Sequence, residues 1–175
     1  MGVWLGPRGG KRELVIYAPP ASGVFTAVPY KFDKSGYPLP ADEGANPTAN
    51  YGNANVAVSL ENRYSADVGG YVNRTGILVS QAVNLTGYTS VTFNYADFST
   101  VHFNGRIYCY VSTSNTDFDP DRDAYAIINQ NSASPAVVDV SGMSGSCYVG
   151  LLFTTGGNYE CETSANISGI TASAV

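Results

Sequence analysis

The chain has one histidine, His102, set between Val101 and Phe103. A single imidazole excludes metal sites built from several His and leaves a serine triad only one candidate base. No Gly-x-Ser-x-Gly elbow accompanies it, so His102 reads as a structural loop residue. Paired carboxylates can cut sugars when held at a set separation. Asp97, Glu160 and Glu162 are the candidates, and the sequence alone assigns no two of them to one site. The densest acidic run is Asp117-Phe118-Asp119-Pro120-Asp121-Arg122-Asp123. The alternating Asp117, Asp119, Asp121 and Asp123 can present oxygens to Ca²⁺. An EF-hand loop counted from Asp117 requires Gly at its sixth place and Glu at its twelfth, where Arg122 and Ile128 stand. The guanidinium of Arg122 also partly neutralises the run. The expectation is a protein that is not an enzyme and needs no cofactor, with a structural calcium at the four Asp as the one metal option.

Aromatic side chains are the other chemical resource, with 13 Tyr and one Trp. Ring faces stack on the C–H faces of sugars, while Arg, Asn and Asp bind hydroxyls. Ile107, Cys109 and Val111 alternate with Arg106, Tyr108 and Tyr110. In a strand this places Arg106, Tyr108 and Tyr110 on one face, with Tyr148 joining from a neighbouring strand. These four are the candidate glycan-binding residues. The competing expectation is that the rings pack under the N-terminal residues or line a subunit interface.

The elements that must carry these groups are strands. No stretch keeps apolar residues at helical spacing over three turns. Short runs rich in Val, Ile, Tyr, Phe and Thr are instead punctuated by Gly, Asn and Pro. Residues 55–175 read as nine strands: Asn55–Leu60, Gly70–Val72, Ile77–Val79, Ser90–Tyr95, Arg106–Ser112, Ala124–Ile128, Ala136–Val140, Cys147–Phe153 and Asn166–Ser173. That pattern predicts an all-β, two-sheet antiparallel sandwich. A hairpin with a wide loop near Val101 sets Tyr95 opposite Ile107 and Phe93 opposite Cys109, aligning two apolar faces. Residues 1–32 read as an N-terminal arm, with Val3-Trp4-Leu5 and Leu14–Tyr17 as a ribbon around Gly6-Pro7-Arg8-Gly9-Gly10. A lone ribbon is not stable, so the arm must pack on its own body or on a partner. Residues 33–54, rich in Gly, Pro, Asn and Asp, read as a linker or surface loop.

Only 13% of residues are charged and the net charge is −5. Five of the nine basic residues fall in the first 34. A body this poor in cations neutralises few phosphates, which argues against nucleic-acid binding. No apolar run is long enough to span a membrane, and Met1–Pro7 lack the pattern of a signal peptide. Cys109, Cys147 and Cys161 form an odd, sparse set, which favours buried free thiols over a disulfide framework. The sequons at Asn73, Asn84 and Asn166 read as chance matches in an Asn- and Thr-rich chain.

The run Ile77-Leu78-Val79-Ser80-Gln81-Ala82-Val83-Asn84-Leu85-Thr86-Gly87-Tyr88, followed by a strand to Phe93, and the later Val137-Val138-Asp139-Val140-Ser141-Gly142 with Cys147-Tyr148-Val149-Gly150 resemble jelly-roll domains of the galactose-binding-like class. Together with Met1-Gly2-Val3-Trp4-Leu5-Gly6 and the basic Lys11-Arg12, the chain looks like minor structural, tail-associated proteins of phages and prophages of gut bacteria. The resemblance implies a jelly roll that often holds a structural calcium. It also implies a virion protein made in the bacterial cytoplasm that touches a host-surface glycan. The arm would join it to other virion subunits or to sister copies, so that deleting residues 1–20 should leave the body folded. The alternative is a carbohydrate-binding module of a secreted glycan-degrading enzyme.

Overall fold

The computed structural model describes residues 11–30, 43–100, 105–156 and 159–174. Among these the chain forms strands and no helix. The strands are β1 Glu13–Tyr17, β2 Phe25–Pro29, β3 Glu43–Gly44, β4 Thr48–Tyr51, β5 Val56–Glu61, β6 Arg63–Ser65, β7 Gly70–Val72 and β8 Arg74–Ser80. They continue with β9 Val83–Asn84, β10 Ser90–Thr100, β11 Arg106–Ser112, β12 Ala124–Ile128, β13 Ala136–Asp139, β14 Ser146–Thr154 and β15 Glu162–Ser173. Each of the nine expected strands is present.

Two large sheets pack face to face. One runs β13-β10-β15-β5-β4, with β1 also paired to β15; the other runs β12-β11-β14-β8-β2, with β9 beside β14 and β3 beside β8. Eight principal strands carry the pattern. The first, β5, pairs with the last, β15; then β8 with β14, β10 with β13, and β11 with β12. This nested pairing is the ladder of a jelly roll. Alternation along each strand builds the core between the sheets. Val91, Phe93 and Tyr95 point in from one sheet, and Ile107, Cys109 and Val111 from the other. All three cysteines are buried and unbridged.

The expected β10–β11 hairpin is not formed. The neighbours of β10 are β13 and β15, and those of β11 are β12 and β14. The two apolar faces do meet, but across the sandwich instead of side by side. Period-two alternation fixes which face is buried, and either arrangement satisfies it.

The division into arm, linker and body is also redrawn. β1 pairs with the end of β15, Glu13 lying opposite Ser173, and β2 pairs with β8, Phe25 lying opposite Ser80. Tyr17 is buried against Phe25 and Tyr51, and the Tyr51 hydroxyl accepts from the Phe25 backbone N–H at 2.9 Å. Residues 13–17, 25–29 and 48–51 are therefore strands of the sandwich. The driving force is apolar area: Leu14, Ile16 and Tyr17 cover core that β5 leaves open beside β15. The expected strand Val3-Trp4-Leu5 lies outside the described residues, as do His102 and residues 31–42.

Candidate functional site

The four candidate glycan-binding residues share the outer face of the β11–β14 sheet, as alternation requires, but that face is largely roofed. Tyr108 and Tyr110 are buried in a second apolar cluster with Ile77, Phe118 and Leu152. The roof is the 112–123 loop, which lays the Phe118 ring 5.6 Å from Tyr108 and 5.2 Å from Tyr110. Tyr30, from the segment read as arm, clamps it: its hydroxyl donates to the Phe118 carbonyl at 2.6 Å. Gly150 makes room for the Tyr110 ring, since a methyl group there would run into it. Burial raises the Tyr110 hydroxyl's pKa well above the usual tyrosine range, with Asp123 adding to the effect. Arg106 and Tyr148 are half-buried on the same face. The glycan-platform reading of Tyr108 and Tyr110 is thus corrected. They support a loop, because aromatic rings exposed on a strand gain most by being covered with more apolar surface.

The acidic run forms an ion-pair knot around its own arginine. Arg122 grips Asp123 with Nε at 2.7 Å from Oδ1 and Nη2 at 2.8 Å from Oδ2. Asp117 Oδ1 lies 3.3 Å from Nη2, and the Ser112 hydroxyl accepts from the same nitrogen at 3.1 Å. Asp123 Oδ2 also accepts from the Asp119 backbone N–H at 2.7 Å, and Asp119 Oδ1 from that of Asp121 at 2.9 Å. The Ser114 hydroxyl, followed by Arg122, holds the Asp117 carboxyl below the usual carboxylate range. Among the described residues no three His, Cys, Asp or Glu side chains converge as metal ligands. The side chains of Asp117, Asp119 and Asp123 brace the loop over Tyr110, with Arg122 paired to Asp117 and Asp123.

A different place offers an exposed ring beside polar groups. β5 leads directly into β6, and the turn from β6 to β7 places Tyr64 opposite Tyr71. Their rings pack edge to face at 5.6 Å and 80°. Tyr64 is 58% exposed and Tyr71 half-buried, so the Tyr64 ring is the open part of the pair. Beside it lies a depression of about 560 Å³ lined by Glu61, Arg63, Tyr64, Tyr71, Glu160 and Glu162. Asn62, itself buried, forms its floor: its side chain donates to the Tyr159 carbonyl at 2.7 Å and accepts from the Cys161 N–H at 2.9 Å. That clip ties β6 to the segment that carries Glu160. Glu61 and Glu162 stand directly opposite one another across β5 and β15, both exposed. Facing carboxylates cost stability in a sheet. Two of the three carboxylates read as a sugar-cutting pair, Glu160 and Glu162, do line one depression. Asp97 lines another, on the outer face of the β10–β15–β5 sheet, with Asn50, Ser59, Glu162, Ser164 and Asn166.

Sequence reasoning passed over Tyr64 and Tyr71. The available signal was a tyrosine on each side of the turn containing Gly69, whose φ is +64°; a tight turn there makes the two rings neighbours. No protein-family model matches the chain, and a search of curated proteins finds no significant match.

Proposed function

We propose that this chain is a glycan-binding jelly-roll module of a phage or prophage virion, tail-associated, acting as a receptor-touching part and not as an enzyme. The observation that carries the binding reading is the exposed Tyr64, packed on the half-buried Tyr71, beside a depression edged by Glu61, Glu160 and Glu162. Ring faces suit sugar C–H faces, and carboxylates accept hydroxyl protons, which is the mix of apolar wall and a few polar groups that ligand sites use. The three carboxylates are all exposed, whereas the acid of a sugar-cutting pair works from an enclosed apolar setting. That supports a binder. The virion placement rests on the resemblance of residues 55–173 and of the basic N-terminal stretch.

Two measurements test this reading. A glycan array probed with the full chain should return bacterial-surface or mucosal glycans, and Tyr64→Ala should weaken the best of them about tenfold, about 1.4 kcal/mol. Silence across the array, or an unchanged Tyr64→Ala, ends the glycan reading. The chain should also be found by mass spectrometry in purified particles after prophage induction. Its absence from particles that contain the other tail proteins ends the virion reading.

A further inference from the structure

Glu162 borders two depressions at once. One is the depression beside Tyr64 and Tyr71; the other, of about 250 Å³, is the hollow of Asn50, Ser59, Asp97, Ser164 and Asn166 on the outer sheet face. Among the described residues the second has no aromatic ring but a set of oriented polar groups. Asn166 Nδ2 donates to Asp97 Oδ2 at 2.8 Å, which fixes the amide's donor side and leaves its carbonyl as a placed acceptor. Asp97 stands at φ +52° where the register of β10 against β15 shifts. The shift turns its carboxylate toward Asn166, which a regular strand would direct elsewhere.

Resting on the glycan reading above, we infer that the two depressions are one groove. It runs from Tyr64 and Tyr71 across Glu162 to the Asp97–Asn166 pair, and it takes several consecutive units of a chain glycan. From Glu162 to Asn166 along β15 is about 13 Å, room for more than one sugar ring. The tyrosine end supplies stacking; the Asp97 end supplies hydrogen bonds only. The charge of the groove selects the ligand class. Glu61, Glu160, Glu162 and Asp97 line it, with Arg63 as the cation among the lining residues. Such a field repels polyanions and accepts neutral glycans or those with free amines.

Calorimetric titration of the full chain tests this with neutral oligosaccharides from two to six units, their amine-bearing counterparts, and a polyuronate. Affinity should rise at least tenfold from the shortest to the longest neutral oligomer. Asp97→Asn and Asn166→Ala should remove that gain and leave binding of the shortest unchanged, while Tyr64→Ala weakens every length. Asn adopts positive φ readily, so Asp97→Asn keeps the backbone. Should either variant misfold, Ser59→Gln, which only fills the hollow, gives the same readout. The amine-bearing series should tighten as salt is lowered. Affinity independent of length, with Tyr64→Ala still weakening it, overturns the groove and leaves the glycan reading standing. Polyuronate binding tighter than the neutral series overturns the charge argument. No binding of any oligomer by the unaltered chain removes the reading and the groove together.

Discussion

At the scale of single residues, the loop over the β11–β14 sheet depends on two side chains with opposite liabilities. Asp123 is 1% exposed at its side chain, and Arg122 is the cation that pairs with it. Arg122→Ala leaves a buried carboxylate with its main partner gone, and breaking such a pair costs about 3 kcal/mol. Chemical denaturation should show that loss, while Arg122→Lys, with one donor point in place of a fork, should recover part of it. The Tyr110 hydroxyl, by contrast, is buried without a hydrogen-bond partner among the described residues. Tyr110→Phe removes a desolvated group that no described residue satisfies, so stability should hold or rise by up to about 1 kcal/mol. Glycan affinity should not change either. A tenfold loss of binding in Tyr110→Phe would restore the ring to the ligand site.

At the scale of elements, the first strands belong to the core. Truncation to residue 21 removes β1 and with it Tyr17, which is 1% exposed and packed on Phe25 and Tyr51. The truncated chain should melt well below the full one, and the point change Tyr17→Ala should already cost about 3 kcal/mol. A truncated chain that melts unchanged would return β1 to the role of a detachable arm. This is also where the sequence was least legible. The strands of the body were readable because Val91, Phe93 and Tyr95, or Ile107, Cys109 and Val111, alternate cleanly with polar partners. β2 and β4 were not: Phe25-Thr26-Ala27-Val28-Pro29 is short and ends in Pro, and Thr48-Ala49-Asn50-Tyr51 contains a single large apolar side chain. Edge strands tolerate such composition because, among the described residues, only one side of each is paired. The burial of Tyr108 and Tyr110 was illegible for a related reason. Alternation assigns them to the outer face, but only tertiary structure tells that Phe118, from a loop six residues past β11, lands on top of them. The Asp run was illegible in the same way: its spacing suits calcium, and only the structure shows the Arg122 guanidinium paired with Asp117 and Asp123.

At the scale of the whole molecule, acid should loosen the fold in a definable window. Asp117 is held below the usual carboxylate range by the Ser114 hydroxyl and Arg122, and Asp139 by the backbone N–H of Ser141. A depressed carboxyl binds its proton more weakly in the folded chain than in the unfolded one. The stability it adds is complete above the ordinary carboxylate pKa and is lost as pH falls through the folded value. The melting temperature should stay level down to about pH 5 and drop below about pH 4. The double variant D117N/D139N should start lower at pH 7 and fall less in acid; equal slopes would discount both groups. The layout of β15 has a further, mechanical consequence. The Ala174 N–H donates to the Arg12 carbonyl at 2.9 Å just past one end of this strand, and Glu162 begins the other, about 36 Å away at strand rise. A tether fixed where Arg12 meets Ala174 would hold the tyrosine pair outboard by the length of one strand. Tension between that tether and a captured surface would then run lengthwise along β15. Because β10 flanks it on one side and β5 and β1 on the other, the load is shared as shear between two ladders, and no single edge strand has to be peeled away.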